Sequence, residues 1–228
     1  MAQHRIVTLA SLVDGLALAP ERYDPRRGPA QQGCPLLQII EVMREQLNPA
    51  RDDGRYRYLV LDTSDVAEGI IRPSRDPMPA PMIGSSKKVV RAGDVLISRL
   101  RPYLRQVGYV DPGLASEFGD DVKVVCSTEF FVLRSRGGGK LGFLVPYLLS
   151  RGVQVLLAAA QEGGHHPRFN QATLETLRLP DWLIERAGEI SARVESAAAS
   201  ARQADLTLRH LVGLFSDSAT SPVVPVGT

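Results

Sequence analysis

From Leu183 to Leu214 the chain has no proline and only two glycines, Gly188 and Gly213. A stretch that long without a breaker reads as one helix of about 30 residues, roughly 45 Å at 1.5 Å per residue. Along it Ile184, Ala187, Ile190, Val194, Ala197, Ala201, Ala204, Leu208, Leu211 and Phe215 recur at three- and four-residue steps, a narrow seam of coiled-coil type. The middle of the seam is alanine, which lets another helix approach closely but removes little apolar surface from water per residue. A helix of this kind needs a cover for its seam, because propensity alone stabilises it weakly. Ile190, Val194, Ala197, Ala201, Leu208 and Leu211 are therefore candidate partner contacts. The competing arrangement is an amphipathic helix folded back on its own domain.

The part before the helix alternates short apolar runs with breakers. Pro20 to Pro35 contains Tyr23, Asp24, Pro25, Arg26, Arg27 and Gly28 and reads as an exposed connection. Leu36, Ile39, Ile40, Met43 and Leu47 fall at helical spacing, yet the Ile-Ile-Glu-Val centre could equally extend as a strand after a short helical turn. From Tyr56 onward β-rich runs dominate: Tyr56–Leu61, Lys88–Val90, Val95–Leu100, Gln106–Val110 and Val122–Leu133. They predict a curved or barrel-like sheet, interrupted by a proline-rich loop from Pro73 to Ser86 and closed at Gly137–Gly139. Helices are expected at Leu141–Ser150, Val153–Gln161 and Ala172–Leu177, with Arg178-Leu179-Pro180 extended. The fold class is thus α+β, a mixed domain with a curved sheet followed by one long C-terminal helix.

The net charge of +2 is too mild to indicate a polyanionic partner by itself. Its distribution says more, because residues 85–105 hold Lys87, Lys88, Arg91, Arg99, Arg101 and Arg105 against the single carboxylate of Asp94. Arg99, Arg101, Tyr103 and Arg105 alternate, so they can share one sheet face or the loop that follows it, bringing guanidinium forks and a ring to phosphates or base edges. A second candidate is the loop Gly163-Gly164-His165-His166-Pro167-Arg168-Phe169-Asn170, which could reach into a groove. A solvated charged face is the plainer reading of the first.

Several chemistries lack their residues. Cys34 and Cys126 are far apart with no CxxC pattern, so they read as two buried, reduced thiols. His165 and His166 have no further ligand at suitable spacing, so no metal is expected. A Glu-x-Lys nuclease triplet, an Asn/Asp-Pro-Pro-aromatic methyltransferase motif, a phosphate-binding Gly-x-x-x-x-Gly-Lys loop and a Gly-x-Ser-x-Gly elbow are all missing. No cofactor and no catalytic residue are expected, and the chain is read as not an enzyme. Asp14 and Arg5 argue against a signal peptide, and Pro146 and Arg151 interrupt the longest weakly charged stretch, so a cytoplasmic location without a membrane span is expected.

The run Val90-Arg-Ala-Gly-Asp-Val-Leu-Ile-Ser-Arg-Leu-Arg-Pro-Tyr-Leu104, followed by Val125-Cys-Ser-Thr-Glu-Phe-Phe-Val-Leu-Arg134, resembles the central signature of target-recognition domains in type I restriction-modification specificity subunits. The order of later parts agrees: a Pro-Tyr-Leu-Leu helix (Pro146–Leu149), a Gly-rich loop ending Pro167-Arg168-Phe169-Asn170, a Leu179-Pro180 strand end and a long helix. The resemblance covers about Tyr56 to Leu214. It implies a DNA-reading domain over 1–181, a helix for dimerisation or methyltransferase docking over 182–215, and a flexible tail over 216–228. The implied partners are double-stranded DNA and an adenine-type DNA methyltransferase. A full specificity subunit carries two recognition domains and two helices, so this chain resembles a half-length form that pairs with itself or with a second half-subunit. Within the DNA-contact candidates, Lys87, Lys88 and Arg105 are expected to supply charge, and Arg99, Arg101, Tyr103, His166, Arg168 and Asn170 to supply geometry, with His165 as a further contact. Two other readings compete: an assembly subunit of a defence complex that does not read DNA, and an unrecognised DNA-modifying enzyme.

Overall fold

A computed structural model describes residues 33–218. The expected connection at Pro20–Pro35 lies almost wholly outside them, as does most of the expected tail. The first elements are β1 (Cys34–Pro35), α1 (Leu36–Ile39), β2 (Ile40–Met43), β3 (Gln46–Leu47), β4 (Arg57–Leu61), β5 (Val66–Ala67), β6 (Ile70–Ile71) and β7 (Met78–Pro79). They are followed by β8 (Lys87–Val90), β9 (Val95–Ser98), β10 (Val107–Tyr109), α2 (Gly113–Ser116), β11 (Val122–Cys126) and β12 (Phe130–Ser135). The C-terminal part is helical: α3 (Leu144–Leu149), α4 (Arg151–Ala159), α5 (Gln171–Glu175), β13 (Arg178–Leu179), α6 (Asp181–Glu185) and α7 (Ala187–Ser218). The ambiguous segment at Leu36 is a helical turn that passes directly into strand β2.

The strands that the sequence suggests as one curved sheet form two principal sheets. One has the order β10-β9-β12-β2 and the other β3-β8-β11-β4-β7. The chain passes between them at β2/β3, β8/β9 and β11/β12, so three consecutive pairs each contribute one strand to either sheet. All neighbours are antiparallel except β4 and β11, which run parallel from Arg57↔Val122 to Leu61↔Cys126. The long run Val122–Leu133 cannot stay one strand, because Phe130 N donates to Ser127 O (3.1 Å) and closes a turn over Ser127-Thr128-Glu129.

Alternation along these strands explains the layers. Leu96, Phe130, Val132, Leu59, Leu61, Val124 and Cys126 face a core shared by the two sheets. Their neighbours Val95, Ile97, Phe131 and Leu133 face the opposite way and join a second core with α3, α4, α5 and α6. Tyr58, Val60 and Val125 form a third, outer cluster with Ala80 and Ile83 from the proline-rich segment. Successive side chains point to opposite faces, and here both faces are apolar, so the central strands read as continuous hydrophobic runs. Cys126 is fully buried, which pushes its thiol up to about 12, whereas Cys34 is only half-buried.

Two devices hold this arrangement. The first is at the Gly93-Asp94 turn between β8 and β9, where Gly93 takes φ +87°, a region that glycine enters without steric cost. Asp94 is buried there, accepts from Arg91 N (2.8 Å) and receives both Nε (2.9 Å) and Nη2 (2.7 Å) of Arg134 on β12. The second is the contact with α7. Arg186 leaves helical geometry at φ −101°, ψ 9° and ends α6, so the long helix starts at Ala187 rather than Leu183. Arg186 O then accepts from Ile190 N (3.0 Å).

The first two thirds of α7 fold back on the domain, the arrangement that competed with a free docking stripe. Ala187, Ile190, Val194 and Ala198 pack on the helical core. Ser191 is fully buried; its Oγ accepts from Phe143 N (3.0 Å) and donates to Lys140 O (3.3 Å). Gly142 permits the approach, since a Cβ there would stand 3.0 Å from Ser191 Cα and backbone O. Farther along, Lys140 pairs with Glu195 (2.5 Å), and Arg202 is clamped by Asp111 and Glu117. Ile190 and Val194, expected as partner contacts, therefore meet the chain's own core, because a small residue at 191 lets α7 sit close to the loop at Gly142. Ala197 is exposed and Ala201 half-buried, and Leu208 and Leu211 are 63% and 45% exposed.

Removing one member of a buried ion pair strands the other charge, a loss of about 3 kcal/mol at the lower end of the usual range when the survivor is partly hydrated. Arg134 keeps 18% of its side-chain exposure, so Asp94→Ala should lower unfolding free energy by about that amount. Urea denaturation followed by circular dichroism checks it, with the slope unchanged and the midpoint lowered.

Candidate nucleic-acid interface

Beyond Ser98 the chain leaves β9 and enters a loop that carries most of the candidate residues. The buried Ser98 hydroxyl holds the departure, donating to Leu100 O (3.1 Å) and accepting from Leu100 N (3.2 Å). Arg99 N still follows the sheet and donates to Glu129 O (2.9 Å). The second candidate segment is a hairpin whose ends meet at Glu162 and Arg168, with reciprocal backbone bonds of 2.8 and 2.9 Å. Gly163 turns it at φ +93°. The two segments are joined: Leu100 bridges Arg168, Phe169 N donates to Arg99 O (3.1 Å), and Arg101 N donates to Pro167 O (2.8 Å). Residues more than sixty positions apart thereby form one surface.

Glu129 organises the charges. Arg168 donates to it from Nη2 (2.7 Å) and Nε (3.0 Å), and Arg99 donates from Nε (3.0 Å). The Arg168 guanidinium, followed by that of Arg99, holds the Glu129 carboxyl below its ordinary value despite partial burial. Arg168 also donates from Nη1 to His166 O (3.0 Å), and Arg101 Nη2 lies 3.0 Å from His166 Nδ1. Arg101 Nε is buried without a hydrogen-bond partner among the described residues. Arg44, which the sequence did not single out, reaches the same area, with Nη2 3.5 Å from Gln171 Oε1. Arg99 and Arg168 thus share one carboxylate, and Arg101 is held beside Arg168 through His166.

The remaining candidates have different surroundings. Lys88 is half-buried, donates to Phe130 O (2.6 Å) and lies 5.5 Å from the centre of the Phe131 ring; burial lowers its pKa from the ordinary lysine value. Lys87 reaches Ser85 Oγ (2.7 Å). Arg105 points the other way and pairs with Glu68 (2.8 Å). Asn170 is the N-cap of α5, its Oδ1 accepting from Thr173 N (3.2 Å). Phe169 is buried against Phe131, with ring centres 5.5 Å apart, and anchors the hairpin to the core. Tyr103 is 59% exposed, and His165 is exposed at the hairpin tip. The structure therefore brings together Arg99, Arg101, His166 and Arg168, with Tyr103 on the same loop. It separates Arg105, commits the Asn170 oxygen to capping, and turns the Lys88 ammonium toward a backbone carbonyl.

Chemically, this surface offers guanidinium donors in fixed orientations. Their rigid forks match phosphate oxygens and the guanine O6/N7 edge. Among the described residues no group of three or more His, Cys, Asp or Glu side chains comes together as a metal site, and no helix is long and apolar enough to cross a membrane.

The fold is similar to that of a chain in a structure of the type I R-M system, described for its complex assembly and conformational transition. The match has a TM-score of 0.55 and 22% identity, over 88% of this chain and 53% of that one. The HsdS subunit from Thermoanaerobacter tengcongensis is also similar, with a TM-score of 0.49 and 20% identity, over 82% of this chain and 50% of that subunit. The chain thus spans about half the length of each of these proteins. No protein-family model and no curated protein matches it. At this identity the first of these likenesses establishes a shared fold, which in this chain is mixed α+β with a long C-terminal helix.

Because the folded-state pKa of Glu129 is depressed, its contribution to stability is full above the ordinary carboxylate value and is lost as pH falls through the depressed one. The stability difference between wild type and Glu129→Gln should therefore be largest near neutral pH and begin to close below about 4.5. Paired urea titrations across that range check it; a difference independent of pH would show that the carboxylate charge does not support the clamp.

Proposed function

We propose that the chain is a specificity module that binds double-stranded DNA and directs an adenine-type methyltransferase partner to its site. The observation that supports this reading is the pairing of the Arg99–Arg105 loop with the 162–168 hairpin over Glu129, which fixes several guanidinium groups on one supported surface. The likeness of fold to a type I R-M chain agrees with it. Arg101 and Arg168 are the base-reading candidates. Arg99 is a positioning residue and phosphate contact, and Lys87 and Arg44 supply further charge. The chain itself carries out no chemistry on DNA in this reading; the partner does.

The exposed end of α7 serves association. Leu208, Leu211 and Leu214 are 63%, 45% and 53% exposed, on a stretch where Arg209 also donates to Pro73 O. Two copies joined there would place two recognition surfaces in one assembly, the two-fold equivalent of a subunit with both domains on one chain.

Two measurements test these statements. Arg168→Ala should cost about 1–3 kcal/mol on preferred duplexes and little on others, whereas Lys87→Ala should weaken all duplexes alike and reduce the salt slope by about one. Fluorescence anisotropy at several salt concentrations reads both. A wild-type chain that binds no duplex, alone or with its methyltransferase, would leave the assembly-subunit reading in its place. Separately, Leu208→Asp with Leu211→Asp should abolish self-association in light scattering while domain stability changes by less than about 0.5 kcal/mol; an unchanged oligomeric state rules out pairing through this end.

A further inference from the structure

The turn Pro102–Leu104 lies between two arginines in left-handed backbone conformation, Arg101 at φ +47° and Arg105 at φ +53°. Left-handed geometry is uncommon for residues other than glycine and persists only where the surroundings enforce it. Here they do. Arg101 N is held by Pro167 O (2.8 Å), Leu104 N by Arg101 O (2.9 Å) and Arg105 N by Pro102 O (2.9 Å), while Glu68 N donates back to Arg105 O (3.1 Å). Glu68 is itself left-handed at φ +46°, and its carboxylate pairs with the Arg105 side chain (2.8 Å). Pro102 is buried and the turn packs against α4. The consequence is a stiff tip with two apolar side chains turned outward, Tyr103 at 59% and Leu104 at 44% exposure.

A tip on the loop that also carries Arg99 and Arg101, set beside the Glu129 cluster, suits a target that is apolar inside and anionic outside, which is the cross-section of a base-paired duplex. We infer that Tyr103 and Leu104 form a wedge that enters between two stacked base pairs and bends the duplex, with Arg99 of the same loop at a neighbouring phosphate. This rests on the DNA-binding reading above and adds to it a deformation of the bound DNA. Apolar side chains inserted at a base step unstack it and kink the helix, and the bend brings more protein surface to the backbone. The wedge is also a source of sequence preference without base hydrogen bonds, because pyrimidine–purine steps unstack most easily.

The test uses the full chain, with its methyltransferase, and duplexes selected for tight binding from a random-sequence pool. Wild type should bend the selected duplex in an end-to-end energy-transfer assay and raise 2-aminopurine fluorescence at one step. Tyr103→Ala with Leu104→Ala should abolish both signals and bind that duplex about tenfold more weakly, the size expected of one lost base–aromatic stack. It should regain affinity on the same duplex carrying a one-nucleotide bulge at that step, where the unstacking has been done in advance. Tyr103→Phe should keep the bend, and unchanged thermal melting of the variants separates loss of the wedge from loss of the fold. A wild-type chain that binds selected duplexes without bending them or brightening any 2-aminopurine overturns the wedge alone. A wild-type chain that selects no duplex overturns the DNA reading and the wedge together.

Discussion

The strands β9 and β12 bury both of their faces, and this constraint governs where the charges next to them can go. Leu96 faces the core between the sheets while Val95 and Ile97 face the helices, and Phe130 to Leu133 divide in the same way. A polar side chain in the middle of such a strand would need a buried partner, as Asp94 at the β8–β9 turn has in Arg134. On these two strands the charged residues therefore emerge near the ends. Arg99 follows the last residue of β9, and Glu129 precedes the first residue of β12. The ladder continues through both, since Arg99 N bonds to Glu129 O, so their side chains meet at the sheet end. The basic surface is in this sense a product of the core, with sheet register setting the position of its organising carboxylate.

The hairpin at 162–168 is added to that surface by a similar device. Phe169 enters the core beside Phe131 and carries Arg168 to Glu129 with it. An arginine on a free loop would lose considerable side-chain entropy on binding a ligand. Here much of that ordering is already done in the folded state, because Glu129 and the backbone of the neighbouring loop restrict Arg168 and Arg101 before anything binds. Surface ion pairs by themselves contribute little to stability; what this one does in the fold is orient Arg99 and Arg168.

The last helix changes character along its length. Its beginning is a structural part of the domain, fastened through Ser191, Glu195 and Arg202. The arginine depends on Gly113, where a Cβ would stand 2.2 Å from its guanidinium. Its far end carries leucines that remain exposed.

The sequence by itself determined the elements and their kinds. The β-rich runs, the breakers at Gly93 and Gly137–Gly139, the helix after Pro180 and the local excess of cations at 85–105 all follow from periodicity, backbone preference and charge, which are properties of neighbours in the chain. It also marked Arg99, Arg101, Arg168 and Glu129 as members of motifs. Only the tertiary structure decided how these meet. Two sheets replace one because the turn at Ser127–Glu129 sends β12 to a different layer from β11. Arg44 enters the basic surface although it lies far from the other cations in sequence, and Arg105, close to them in sequence, turns away to Glu68. Lys88 lies on a strand beside buried neighbours, so its ammonium finds the Phe130 carbonyl. Asn170 could have faced a ligand by its type, but it occupies the start of α5, whose free N–H groups take its oxygen. In the long helix the spacing revealed a seam but could not say which part of it the domain covers, because that depends on where Gly142, Lys140 and Asp111 are brought by contacts distant in sequence.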